Sequence, residues 1–187
     1  MLKSRALESR ISYSQFVDGS DGEASYELEF PWGGVVRVLG NIIHQAATTR
    51  NSTMLSFGAE GYSRRDNVLQ VAHNTFVDDR ARGVALRVVS GADAVLFANN
   101  VLAGSARIVV PGGGETRANP RVPRGELSDP DGFDYRLRSR SRWVGRAERY
   151  SDLEAAGMVP DREYLHPANS RAVLGRVMNP GAMQSTA

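Results

Sequence analysis

Only one of the 23 basic residues in this chain of 187 is a lysine, Lys3; the other 22 are arginines. Arginine stays protonated in a protein, whereas a lysine amine can act as a base when neighbouring positive charge lowers its pKa. Lys3 stands two residues from Arg5, so the two share one face of an extended strand, an arrangement suited to proton abstraction. The same alternation continues along the chain. With Leu2, Ser4 and Ala6 inward, Lys3 and Arg5 point out; with Tyr26, Leu28 and Phe30 inward, Glu27 and Glu29 point out, each 24 residues beyond its counterpart. The stretch Thr53–Ala59 presents Ser56, with Glu60 just beyond it, and Gly83–Ser90 presents Arg87. Tyr62, Arg64 and Arg65 follow Glu60 in a loop placed to contact a sugar. Such a strip is of mixed sign. It suits an acidic polysaccharide, and it equally suits a solvated face whose cross-strand ion pairs contribute under about 1 kcal/mol each.

What would hold these residues in a strip is a repeat. An apolar residue, a small polar residue three positions on and a second apolar residue two further recur at Ile11/Ser14/Phe16, Val38/Asn41/Ile43, Val71/Asn74/Phe76 and Phe97/Asn100/Leu102. The registers step by 27, 33 and 26 residues (11 to 38 to 71 to 97), spacings that mark stacked units. Residues between the markers alternate with period two and are rich in Val, Ile, Phe and Tyr, which predicts strands. Each coil has a leading strand (Leu2–Leu7, Ala24–Phe30, Thr53–Ala59, Gly83–Ser90), a second that carries the marker (Val35–Gly40, Asn67–Ala72, Ala94–Ala98) and a short third such as Thr75–Val77. Three strands per coil predict an all-β, right-handed parallel β-helix of about four coils. The small polar markers fall where one strand bends into the next, so stacked Asn side chains would bond one another and the turn backbone.

The coils are expected to occupy residues 1–114. After Ile108-Val109-Val110 the run Pro111-Gly112-Gly113-Gly114 breaks the pattern, and the irregular, Arg-rich residues 115–187 are expected to form a C-terminal cap. In that tail Tyr135–Trp143 alternates and would set Arg136, Arg138, Arg140 and Arg142 on one face of a late strand. Ser151 and Glu154 make a capping-box pair with Gly157 as a stop, predicting a short helix near 152–156. At the other end Met1-Leu2-Lys3 enters directly into a leading strand. A bare solenoid end exposes unpaired backbone groups, so further upstream coils or a partner are expected to cover the first coil.

Composition narrows the function classes. A net charge of +2 indicates no dedicated nucleic-acid binder, and the Arg136–Arg142 stripe lacks interleaved aromatics for stacking on bases. The absence of Cys excludes disulfides and thiolate metal sites. No apolar run approaches the roughly 18 residues of a membrane span, and no charged-then-apolar leader opens the chain. His44 and His73 flank coil turns one coil apart without a third ligand in register. Asp129-Pro130-Asp131-Gly132-Phe133-Asp134 lacks the spacing and terminal Glu of a calcium loop and reads as a turn.

Lys3-Ser4, the Ile11/Ser14/Phe16 marker and a turn carrying Gly40-Asn41 resemble the central coils of the β-helical polysaccharide lyases of the alginate lyase and chondroitinase B type. The resemblance covers roughly residues 2–110 and implies a pectate-lyase-like solenoid. It implies that Lys3 abstracts the proton next to a uronate carboxylate, that an Arg assists the departing oxygen and that calcium neutralises the carboxylate. Glu29 stands where the family has its Arg, and Arg5 is the nearest guanidinium in this sequence. The resemblance also implies an extracellular or periplasmic setting, as part of a longer exported protein. Two functions follow: a β-eliminating enzyme acting on a uronic-acid polymer, or a non-catalytic β-helix that binds sugar or protein through the same strip.

Overall fold

A computed structural model of the chain describes residues 1–112, 114–175 and 179–185. It is a right-handed parallel β-helix of five rungs. The first rung is β1 (Leu2–Lys3), β2 (Glu8–Ser12) and β3 (Gln15–Val17); the second is β4 (Leu28–Phe30), β5 (Val35–Leu39) and β6 (Ile42–Gln45). The third is β7 (Thr53–Phe57), β8 (Val68–Ala72) and β9 (Thr75–Asp78), and the fourth β10 (Val84–Val88), β11 (Ala94–Ala98) and β12 (Val101–Gly104). The fifth is β13 (Arg107–Val109), β14 (Glu115–Arg117) and β15 (Arg121–Val122). First, second and third strands stack separately into three five-stranded parallel sheets, here A, B and C. The expected four coils are therefore five: β13 and β14 lie on either side of the glycine run, and the solenoid continues to Val122.

Like side chains stack because the rungs keep register. Leu2, Leu28, Leu55, Leu86 and Ile108 align in sheet A. Ile11, Val38, Val71 and Phe97 align in sheet B, and Phe16, Ile43, Phe76 and Leu102 in sheet C. The residues of the middle rungs in these rows are fully buried and form one core, as the marker pattern requires.

The turn between sheets B and C is a repeated two-residue unit. Its first residue is left-handed at Tyr13, Gly40, His73, Asn99 and Ala118, with φ of 50°, 67°, 53°, 53° and 48°. Its second is Ser14, Asn41, Asn74, Asn100 or Asn119, and these form a ladder. The Asn74 carboxamide oxygen accepts from the Asn41 backbone N–H at 2.8 Å and from the Asn41 Nδ2 at 3.0 Å, and the Asn100 and Asn119 oxygens serve the Asn of the preceding rung in the same way. Four of the five left-handed residues carry a Cβ, a conformation costing roughly 1–2 kcal/mol each. The ladder bonds, buried where water cannot compete, offset that cost.

The tail leaves β15 and runs back along the flank of the solenoid. An antiparallel hairpin of β16 (Leu127–Asp129) and β17 (Asp134–Leu137) packs with Ile42, Val77, Val101 and Ala103 on the outer face of sheet C. Helix α1 (Ser151–Ala155) places Leu153, with Met158 after it, on Leu39, Ala72 and Ala98 of sheet B. A second hairpin, β18 (Arg162–Leu165) with β19 (Asn169–Ala172), is the last strand pair among the described residues. The chain thereby returns to the first rung, where the Tyr13 hydroxyl donates to Asp161 at 2.7 Å.

Two local expectations differ. The 135–143 strand ends at Leu137 because Arg138 turns back onto the carbonyls of Gly125, Leu127 and Ser128, so no four-arginine face forms. Ser151 does not cap α1: the N-cap is Tyr150, without a side-chain bond, and Glu154 instead pairs with Arg149 at 2.6 Å.

Candidate functional site

The parallel register of sheet A brings Lys3, Glu29, Ser56 and Arg87 into one row across four successive rungs. Leu28 and Phe30 are sealed in the core, so the residue between them, Glu29, must face out. Glu27 does not join the row. It is 0 % exposed, and neither of its carboxylate oxygens has a hydrogen-bond partner. The alternation fails there because β7 and β10 of sheet A each carry two consecutive core residues, Met54-Leu55 and Ala85-Leu86, and Glu27 is level with Met54. Burial pushes its pKa up to about 8, helped by the charges of Asp18 and Asp78, so Glu27 is a protonated core acid and not a contact for ligand.

At the first rung the row is a tight ion cluster. Lys3 Nζ donates to Glu60 Oε1 at 2.7 Å and lies 3.0 Å from Glu29 Oε2. Arg5 Nη2 donates to both Glu60 oxygens at 2.8 Å. Glu60 reaches this cluster from the loop that follows β7, two rungs away. That loop is pinned: the Tyr62 hydroxyl donates to the Val89 carbonyl at 2.6 Å, and its ring packs 5.5 Å from Phe57. Burial raises the Tyr62 pKa to about 12. Tyr62 is thus an anchor for the loop more than a platform for sugar. The Arg64 guanidinium donates to the Arg5 carbonyl, and it and Arg5 lie over the Trp32 ring with centroid distances of 5.1 and 5.0 Å.

Electrostatics fix the state of Lys3. The bonds to Glu60 and then Glu29 raise its pKa, outweighing the lowering influence of Arg5. Proton abstraction needs the opposite direction. The same contacts, Lys3 first and then Arg5, pull Glu60 down to about 2. At the fourth rung the balance differs: Arg87 is exposed, and its one hydrogen bond among the described residues runs to Thr53 Oγ1 at 3.4 Å. Ser56 between them is fully buried with an unpartnered hydroxyl.

Calcium does not fit this face. Its two carboxylates, Glu29 and Glu60, are held by Lys3 and Arg5, and among the described residues no group of three or more His, Asp or Glu is placed to hold a metal ion. The histidines serve packing. His44 bridges Tyr135 at 2.9 Å and Asp79 at 2.7 Å, tying the first tail hairpin to the solenoid. His73 is pushed down to about 4 by burial and bonds Asn99, and His166 stacks on Phe133.

Trp32 is the site residue that sequence reasoning missed. Its signal was available: it is one of only two tryptophans, and it follows Pro31 at the end of a leading strand. No protein-family model matches the chain, and no curated protein or solved structure matches it significantly.

Proposed function

We propose that the chain is a non-catalytic β-helix module that holds an acidic polysaccharide along the outer face of sheet A. The observation that carries this reading is the in-register row from Lys3 to Arg87. Strands repeat at about 4.8 Å, so the cations of the first and fourth rungs lie about 14 Å apart along the solenoid axis, a spacing that suits an extended polymer with a repeated negative charge. Trp32 and the loop carrying Tyr62 and Arg64 wall one side of the row. Arg87, without a carboxylate partner among the described residues, is the cation readiest to receive a ligand. An acidic glycan as ligand carries with it an extracellular or periplasmic setting.

The second reading is β-elimination with Lys3 as base and Arg5 beside it. What favours it is that the lone lysine sits at the end of this row. It requires that both carboxylate contacts of Lys3 be released, whereas binding at the Arg87 end requires no such rearrangement.

One experiment separates the readings. Retention on polygalacturonate and on a neutral glucan is compared across a salt gradient, with absorbance followed in the ultraviolet, where elimination creates a conjugated double bond. The expected result is salt-sensitive retention on the uronate polymer, weakened in Arg87→Ala, with no growth of absorbance. Equal retention on both polymers removes the binding reading, and growing absorbance that is lost in Lys3→Arg establishes the lyase.

A further inference from the structure

The first-rung cations are already occupied by a carboxylate of the protein itself. Both Glu60 oxygens are used, one by Lys3 and Arg5 together and the other by Arg5. A guanidinium fork closed on both oxygens of a carboxylate, with an ammonium beside it, is the arrangement by which proteins recognise carboxylate ligands. Glu60 does not belong to the first rung or to its neighbour. It is delivered from the third rung, 57 residues from Lys3, by a loop that crosses the second rung at Pro31 and Trp32. There the Glu60 backbone N–H donates to the Pro31 carbonyl at 3.0 Å, and the Ser63 N–H to the Trp32 carbonyl at 3.2 Å. The loop is fixed at Gly58 and Tyr62, yet a Cβ at the neighbouring Gly61 would meet nothing within 4 Å. The backbone at Glu60 is thus held in place, and exchange at the subsite needs only its partly exposed side chain to swing away.

We propose that Glu60 is an internal stand-in for a ligand carboxylate: Lys3 and Arg5 form a carboxylate-binding subsite that Glu60 closes, and a uronate group of an acidic glycan enters only by displacing it. The proposal rests on the reading of sheet A as a glycan surface and adds its regulation. In the resting protein the glycan is held at the Arg87 end. Displacement of Glu60 extends the contact to the first rung, about 14 Å away, so the closed subsite lowers affinity most for ligands long enough to span that distance.

The test uses the full chain and an oligogalacturonate, with dissociation constants measured at low salt for wild type, Glu60→Gln, Glu60→Ala, Arg87→Ala and the double variant Glu60→Gln/Lys3→Ala. Glu60 is exposed on a loop, and circular dichroism verifies that each variant is folded. Opening the subsite should tighten binding roughly fivefold or more in both Glu60 variants, and removing Lys3 from the Glu60→Gln background should abolish the gain. Binding that depends on Arg87 but does not tighten in either Glu60 variant overturns the stand-in and leaves the glycan surface in place. Binding by the Glu60 variants alone supports the stand-in and removes the resting binder. No binding by any variant removes both.

Discussion

Glu27 shows how one side chain can set the pH response of the whole solenoid. Its carboxyl is sealed in the core with no partner, so the neutral form is strongly favoured and its pKa rises from 4.5 to about 8. In the unfolded chain the group ionises at its ordinary value. The folded state therefore keeps a proton that the unfolded state has lost between pH 4.5 and 8. The Glu27 contribution falls by about 1.4 kcal/mol per unit as pH rises through that window; His73, pushed down from 6.5 to about 4 by burial, contributes the opposite slope below 6.5, so the net fall is expected between about 6.5 and 8. Denaturant titrations across the window should show this slope, and Glu27→Gln should flatten it. A slope unchanged in Glu27→Gln would mean that Glu27 is ionised in the fold. Simple alternation placed this residue outward, and nothing about Glu27 alone signals otherwise. Its level partners do: Met54 and Ala85 occupy the equivalent positions of the next coils, and both are core residues.

At the scale of the element, the Asn turns join sheet B to sheet C. Asn74 Nδ2 donates to the Val38 and Ala72 carbonyls at 2.9 Å and to the Asn100 carboxamide at 3.0 Å, while its own oxygen accepts from Asn41. Replacing it by Ala strands several buried donors and acceptors at once, so Asn74→Ala should lose about 3 kcal/mol in chemical denaturation. Ser14→Ala, at the end of the ladder and half-buried, should lose less than about 1 kcal/mol. Equal losses would show that the ladder is not cooperative. Four of its five steps were legible because the markers keep the spacing of the coils. Asn119 was not: it follows Asn100 by only 19 residues, and the glycine run hides the short β14 before it. The left-handed residues were equally hidden, since Tyr13 and His73 carry none of the usual glycine signal.

For the whole molecule, the fold was readable from repeats and the course of the tail was not. Coil register depends on local alternation, whereas the tail is placed by contacts far apart in sequence, such as Tyr13 with Asp161 and His44 with Tyr135. Its consequence is a division of surfaces. The tail covers apolar outer positions of sheets B and C, among them Leu39, Ala72, Val77 and Val101. On sheet A the two ends of the row, Lys3 and Arg87, stay exposed. The outward setting of Lys3, Glu29 and Arg87 was legible, but the expected register matched Lys3 with Glu27 and Arg5 with Glu29, whereas Lys3 lies level with Glu29. The aromatic wall and the reach of Glu60 across two rungs were not legible, because loops of unequal length carry no register.

The two tryptophans report on these two surfaces, Trp32 beside the sheet A row and Trp143 against the tail hairpin. The most direct test of sheet A as the glycan surface is hydroxyl-radical footprinting of the protein with and without saturating oligogalacturonate, read at both rings. Bound glycan should slow oxidation of Trp32 and leave Trp143 unchanged. Protection of Trp143 with Trp32 unaffected would place the ligand on the flank and contradict the assignment of sheet A.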